Sequence, residues 1–255
     1  MKKRTAKKKA ALKKAPKNSE SRKKTPEFGA DTKSAKEKKF AKETMEQKRL
    51  RSDEIVRLLR HYYPNASCAL NFETPFQLLI ATILSAQCTD ERVNLVTAIL
   101  FKKYPDAQLL AKASLDEIES IIRPTGFFKN KAKSLLRTSQ NLVGQYAKAV
   151  PQVLEQLVEL PGVGRKTANV VLGTAFGIPS GVVVDTHVNR LTHRLGLAVG
   201  QNPVVIEKEM MVLLKPSDWI DFSHLLIHHG RAICKARKPR CEVCFLIEVC
   251  PQKFA

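Results

Sequence analysis

Four cysteines lie within seventeen residues near the C-terminal end of this 255-residue sequence. They are separated by six, two and five residues, at Cys234, Cys241, Cys244 and Cys250. Clustered cysteines of this kind predict a metal centre rather than disulfides. A chain that holds such a centre must fold so that four thiolates surround one compact site. The spacing alone leaves two centres open, a zinc ion bound by four cysteines and an iron–sulfur cluster.

Two further cysteines, Cys68 and Cys88, stand apart among apolar neighbours. Free cysteine behaves as a small apolar side chain in most proteins. We therefore expect both to be buried core residues.

The remaining sequence has the periodicity of α-helices. In the segment 50–63, Ile55, Leu58, Leu59 and Tyr62 recur at helical spacing. Further helices are predicted over 75–86, 90–104, 114–122, 130–146, 151–160, 165–176, 186–195, 203–214 and 219–234. Only Val182–Val184 has strand character, and three residues are too few for a sheet. The fold class is therefore all-α, with the glycine- and proline-containing segment 177–181 as the crossover between two helical lobes.

Positive charge is concentrated at the N-terminal end. The chain carries a formal net charge of +20, and its first fifty residues hold 19 Lys and Arg against 6 Asp and Glu. Residues 1–47 also lack the apolar side chains that could offset the cost of ordering, which predicts a disordered basic arm. The excess favours a polyanionic partner, although charge alone leaves RNA and membrane surfaces open. With no secretory signal or spanning segment recognisable, we expect a soluble, intracellular protein.

The segment 160–168 reads LPGVGRKTA and predicts two helices joined by a tight turn. Gly162 and Gly164 let the chain turn and leave backbone N–H groups uncovered near a helix N-terminus, with Val163 between them. Such a turn can bind a phosphate group, or it can be an ordinary helical hairpin. Lys166 follows in the first helical turn, where it could act as a nucleophile or contact a phosphate.

A carboxylate follows nineteen residues later, where the segment 182–190 reads VVVDTHVNR. By position alone, Asp185 is typical of a helix N-cap. Thr186 and His187 are interpreted as cap and phosphate-side residues.

These segments resemble the endonuclease III family of helix–hairpin–helix DNA glycosylases. The resemblance rests on LPGVGRK, on VDTH at 184–187 and on the cysteine spacing, and it covers about residues 48–250. It implies that Lys166 is the nucleophile, that Asp185 is the second catalytic residue, and that the four cysteines hold a [4Fe-4S] cluster. It further implies a six-helix barrel domain at 67–178 and a helical cluster domain formed by 48–66 and 179–255.

Two more segments resemble the DNA-facing loops of this family, LSAQCTD at 84–90 and TGFFKNKA at 125–132. The resemblance implies that Gln87 fills the gap left by an extruded nucleotide and that Phe127 wedges between bases. We also expect DNA contacts from Lys131 and from four cations of the first cysteine loop. Those cations are Lys235, Arg237, Lys238 and Arg240.

The function implied is a bifunctional DNA glycosylase and abasic-site lyase that removes oxidised pyrimidines from duplex DNA through a lysine Schiff base. Two alternatives remain, a monofunctional adenine or mismatch glycosylase of the same fold and a non-catalytic DNA-binding module. We expect a monomer that acts in the bacterial cytoplasm or, as an alternative, in the nucleus.

Overall fold

The computed structural model describes residue 40 and residues 42–252, and within this part the regular structure is entirely helical. Three short 3-10 turns, at Arg123–Thr125, Pro216–Asp218 and Cys241–Val243, supplement the α-helices. This confirms the all-α prediction. The α-helices are α1 (Met45–Tyr62), α2 (Pro75–Leu84), α3 (Asp90–Lys103), α4 (Ala107–Leu110), α5 (Leu115–Ile122), α6 (Phe128–Gln145), α7 (Leu154–Val158), α8 (Arg165–Phe176), α9 (Thr186–Arg194), α10 (Pro203–Leu213) and α11 (Trp219–Ala232).

The predicted basic arm lies largely outside the described residues. Helix α1 nevertheless begins at Met45, inside the boundary predicted for the arm. Its start is fixed by a capping box, in which Thr44 accepts from the Gln47 amide and the Gln47 side chain accepts from the Thr44 amide. These reciprocal hydrogen bonds satisfy two backbone donors that would otherwise be free. Helix α1 therefore begins before the apolar stripe from which it was predicted.

The first lobe is a barrel formed by α2 to α8. It contains six helices of five or more residues and the single turn α4, which the sequence analysis missed. Helix α2 is almost wholly apolar and is buried from Phe76 to Leu84, which makes it the centre of the lobe. It packs against α8, so the glycine hairpin before α8 is anchored on the barrel core.

The second lobe combines α1 with α9, α10 and α11 around a separate hydrophobic core. Its buried side chains run from Ile55 of α1 to Leu246 beyond α11, with Phe222 among the largest. The chain crosses from the barrel through residues 177–185 without regular structure. Val182 and Val184 are buried there but form no strand, in agreement with the sequence.

Several sequence predictions need correction. Cys68 and Cys88 are half-buried at the edge of the barrel core rather than fully enclosed. The helix predicted over 151–160 is only the five-residue α7.

Among the described residues, no helix has both the length and the apolar character needed to cross a membrane.

Candidate active site and iron–sulfur centre

A cleft of about 280 Å³ is lined by residues of both lobes. Lys166 comes from the start of α8 in the barrel, and Asp185 from the residue before α9 in the second lobe. The cleft therefore brings together the two residues for which the sequence analysis predicts catalytic roles. Gln87 lines the same cleft.

Lys166 is exposed in the first turn of α8, next to an uncapped helix N-terminus. The N-cap is Gly164, which offers no side-chain acceptor, so the first amides of α8 have no capping partner. Unpaired amides and the helix dipole attract an anion at this point. A primary amine therefore stands beside a site suited to a phosphate group.

Asp185 is the N-cap of α9. Its Oδ1 accepts from the Val188 amide at 2.8 Å, while Oδ2 has no hydrogen-bond partner in the described part of the chain. The carboxylate is half-buried between buried Val184 and Val188. Low local polarity strengthens its interaction with a nearby positive charge. The capping role predicted for Thr186 is wrong, because Thr186 is the first residue inside the helix.

The hairpin glycines have different roles. Gly162 has a φ of +81°, and a Cβ at this position would stand 2.9 Å from Cβ of Ser134 on α6. Thr138 on the next turn of α6 donates to the Pro161 carbonyl at 2.8 Å, which holds the hairpin against that helix. Gly164 has an ordinary φ of −94° and open space around it. Its lack of a side chain leaves the approach to the α8 amides clear.

Val163 does not contribute a free amide to this turn. Its N–H donates to the Leu160 carbonyl at 3.0 Å, and its side chain is buried in the barrel core. An amide already bonded within the hairpin is not available to a phosphate. The amides of Gly162 and Gly164 are therefore better suited to a phosphate than that of Val163, and the predicted DNA contact of Val163 remains a prediction.

Gln87 and Phe127 are exposed residues in left-handed backbone conformations, with φ of 53° and 48°. Residues with a Cβ rarely adopt this conformation, so the surrounding structure must hold it. The Phe127 side chain is 67% exposed. A large apolar ring in solvent beside the cleft-forming loops is consistent with the predicted wedge.

Lys131 corrects a sequence prediction. Its side chain is only 6% exposed, and its Nζ donates at 2.8 Å to the carbonyls of Leu84 and Thr125. Burial lowers the pKa of this ammonium. The prediction that Lys131 contacts DNA is wrong, because its charge is directed inward. Lys131 instead ties the loop that carries Gln87 to the loop that carries Phe127.

His187 is half-buried rather than free at the surface. Its Nδ1 lies 3.3 Å from a guanidinium nitrogen of Arg190, and burial lowers the pKa of the ring. Thr186 is exposed beside it. Their predicted place on the phosphate side remains a prediction.

All four C-terminal cysteines line one internal cavity between α9, α11 and the turn at Cys241–Val243. Within residues 42–252, no three His, Cys, Asp or Glu side chains are arranged to hold a single metal ion. Burial raises the pKa of the Cys250 thiol to about 11 and raises that of Cys244. Four cysteine sulfurs around one cavity are the donor set that an iron–sulfur cluster requires.

Two arginines of α9 hold the first cysteine loop. Arg194 donates to the carbonyls of Lys235 and Ala236 at 2.8 and 2.7 Å. Arg190 donates to the carbonyls of Gly230 and Cys234. The four cations of this loop that are predicted to contact DNA remain exposed. They are Lys235, Arg237, Lys238 and Arg240.

Two features of this surface were not predicted from the sequence. Arg231 of α11 pairs with Asp90 of α3 at 2.7 Å, and both line the cleft. Helix α6 carries exposed Lys129, Lys133 and Arg137 at four-residue spacing and has no Asp or Glu. That spacing could have revealed the basic row, but nothing local could have revealed a pair 141 residues apart.

The glycine hairpin, the lysine of the cleft and the cysteine centre together define a class, the helix–hairpin–helix proteins of base excision DNA repair. Residues 80–216 match the HhH-GPD superfamily of base excision DNA repair proteins. Residues 234–250 match the iron–sulfur binding domain of endonuclease III. The chain belongs to the endonuclease III family. It is accordingly a DNA glycosylase and abasic-site lyase with a [4Fe-4S] cluster.

Individual relatives agree with this assignment. Endonuclease III of Synechocystis sp. is 54% identical over 211 residues, which cover 83% of this chain and 96% of the relative. Endonuclease III of Bacillus subtilis is 43% identical over 74% of this chain and 86% of its own length. A solved structure of a trapped endonuclease III–DNA covalent intermediate is 39% identical and superposes with a TM-score of 0.75, covering 79% of this chain and 95% of that one.

Proposed function

We propose that this enzyme removes oxidised pyrimidines from duplex DNA, with Lys166 as the nucleophile and Asp185 as its catalytic partner. The observation that carries the proposal is the cleft that both residues line, beside the uncapped start of α8. A similar structure is described as a covalent endonuclease III–DNA intermediate, which supports a covalent route here.

In the proposed reaction, the uncharged amine of Lys166 attacks C1′ of the extruded nucleotide. The N–C1′ bond forms as the glycosidic bond breaks, and the base leaves with the bonding electron pair. The Asp185 carboxylate stabilises the positive charge that develops on the sugar and accepts the proton released by the amine. The sugar ring then opens to a Schiff base on Lys166. Loss of a 2′ proton expels the 3′ phosphate and nicks the strand.

The surrounding residues position the DNA. The amides of Gly164 and the first turn of α8 would hold a phosphate near Lys166. Gln87 would fill the gap left by the extruded nucleotide, and Phe127 would wedge between neighbouring bases to kink the duplex.

The basic surfaces on either side supply phosphate contacts, the row on α6 and the first cysteine loop. Cys234, Cys241, Cys244 and Cys250 would hold the cluster. When bound, the cluster links the four thiolates and so fixes the shape of the loop that carries Lys235 and Arg237.

The division into lobes agrees with two separate hydrophobic cores, one within the barrel and one joining α1 to α9–α11. We propose that these are the two domains, with boundaries at 67–178 and at 48–66 plus 179–255. We also propose that the enzyme acts as a monomer inside the cell, where chromosomal DNA is found.

A panel of defined duplexes tests the substrate class. Each duplex contains one oxidised pyrimidine, one adenine opposite 8-oxoguanine, or no lesion, and base release and strand nicking are both measured. We expect release and nicking from the oxidised pyrimidine alone. Release of adenine without nicking would favour the mismatch glycosylase, and binding without release would favour a non-catalytic module.

A further inference from the structure

A histidine connects the cysteine centre to the phenol of Tyr63 in the interior of the second lobe. His229 of α11 is 2% exposed. Its Nε2 lies 3.6 Å from Sγ of Cys244, and its Nδ1 lies 3.2 Å from the hydroxyl of Tyr63. Both ring nitrogens are therefore engaged, one by a cluster ligand and one by a phenol from the end of α1.

The chemistry of the partners fixes the direction of both hydrogen bonds. A cysteine that ligates iron is a thiolate and can only accept, so the Nε2 nitrogen must carry the hydrogen. A neutral imidazole has one N–H, which leaves Nδ1 as an acceptor for the Tyr63 hydroxyl. Burial raises the pKa of Tyr63 to about 12, so its hydroxyl keeps its proton. No carboxylate in the described chain is hydrogen-bonded to the ring.

Packing holds the ring in this position. Phe245, the residue after Cys244, meets the His229 ring edge-on at 5.1 Å between centroids. The Tyr62 ring stacks on the Phe245 ring, with 3.8 Å between the two centroids. The His229 carbonyl accepts from the amides of Ile233 and Cys234. Because backbone and ring are both fixed, His229 cannot turn away from Cys244 without disturbing the core.

We propose that His229 is a positioning residue that raises the reduction potential of the cluster by donating a hydrogen bond to the Cys244 thiolate, with Tyr63 fixing the donor tautomer. When the cluster accepts one electron, negative charge on its thiolates increases. A hydrogen-bond donor stabilises that more negative state and makes reduction easier. No proton is transferred and no protein bond is broken in this one-electron change.

The contact from His229 differs from the contact that Arg194 makes with another cluster ligand. Arg194 lies 3.4 Å from Sγ of Cys234, but the same guanidinium also holds the carbonyls of Lys235 and Ala236. Replacement of Arg194 would therefore change the loop as well as the thiolate. His229 offers a cleaner test, because within residues 42–252 its side chain is hydrogen-bonded only to the Tyr63 hydroxyl and the Cys244 sulfur.

The experiment measures the midpoint potential of the holoenzyme at constant pH by voltammetry, for variants with matched iron and sulfide content. His229→Phe removes the donor and keeps a planar ring, so we expect a lower potential. His229→Gln supplies an amide donor and should recover part of the shift. Tyr63→Phe leaves the ring without its fixing partner and should shift the potential less, in the same direction.

Tyr62→Phe is the matched control, since it removes the hydroxyl of the neighbouring tyrosine, which has no hydrogen bond to His229, and keeps the ring that stacks on Phe245. We expect an unchanged potential. A His229→Phe protein with four irons and the parent potential would overturn the proposal. If that variant does not retain its cluster, Tyr63→Phe decides. A lower potential supports the proposal, and an unchanged one overturns it.

Discussion

Arg231 of α11 and Asp90 of α3 form an ion pair with 2.7 Å between Nη2 and Oδ2, and this pair joins the two lobes beside the cleft that Lys166 and Asp185 line. Lys166 belongs to one lobe and Asp185 to the other. The distance between these two groups therefore depends on how the lobes are held together. A contact at the side of the cleft is well placed to maintain it.

We predict that Arg231→Gln and Asp90→Asn slow base release in single-turnover assays, since small displacements of reacting groups are costly. The interaction between the two side chains should contribute only about 0.2–1 kcal/mol to the free energy of unfolding, because Arg231 is half exposed to solvent. The pair formed by Arg57 and Glu54 within α1 is the control. Its removal should leave base release unchanged, and equal effects from both pairs would contradict the prediction.

Asp185 has a structural and a proposed catalytic role that one substitution can separate. Asn caps helices about as well as Asp, so Asp185→Asn should change the free energy of unfolding by less than about 1 kcal/mol. Without the negative charge, base release should fall by about 10²–10⁴-fold. Asp185→Ala should lose the cap as well, at about 1 kcal/mol. An Asn variant with the parent rate would exclude the catalytic role.

Replacement of the two hairpin glycines by alanine should have different main effects, on stability for Gly162 and on DNA binding for Gly164. Gly162→Ala forces a positive φ on a residue with a Cβ and a 2.9 Å contact with Ser134. It should destabilise the fold by about 1–3 kcal/mol in urea unfolding. Gly164→Ala has room and an ordinary φ, so the free energy of unfolding should fall by no more than about 1 kcal/mol, from the lower preference of alanine for a helix N-cap. Its methyl group should nonetheless weaken binding to an abasic duplex, measured by fluorescence anisotropy. Unchanged binding would place the phosphate elsewhere.

Lys131 and Lys133 are two residues apart on α6 and should behave differently. Lys131→Met leaves the Leu84 and Thr125 carbonyls without their donor, at about 1–3 kcal/mol for each unsatisfied group. Lys133 is exposed, so Lys133→Gln should alter stability by no more than about 0.5 kcal/mol. It should make the slope of log affinity against log salt concentration less steep by about 0.9, the change expected when one phosphate contact is lost. A slope equal to the parent value would remove Lys133 from the interface.

Lys131 also shows which parts of the structure could be predicted from the sequence. The helices and the cysteine centre depend on local spacing, and the sequence predicts them well. The ammonium of Lys131 is buried because it meets a carbonyl 47 residues away, which no local pattern reveals. The pair of Arg231 with Asp90 is a contact of the same kind. Helix α4 has only four residues, too few for an apolar period to be recognised.

The left-handed residues could not be predicted for a related reason. Neither the glutamine at 87 nor the phenylalanine at 127 indicates a positive φ, since glycine is the usual residue in that conformation. Tertiary contacts, including the bonds from Lys131 to both loops, maintain these conformations. The sequence therefore predicts which residues line the cleft and the cysteine cavity, but not the contacts that position the loops.

In the proposed mechanism, Lys166 becomes covalently joined to the sugar. Borohydride reduction during the reaction with an oxidised-pyrimidine duplex, followed by nuclease and protease digestion and mass spectrometry, locates the joined residue directly. We predict a sugar remnant on the peptide that contains Lys166, and no adduct in Lys166→Gln even though that variant still binds the duplex. An adduct on another side chain, or trapping that persists in Lys166→Gln, would contradict the account.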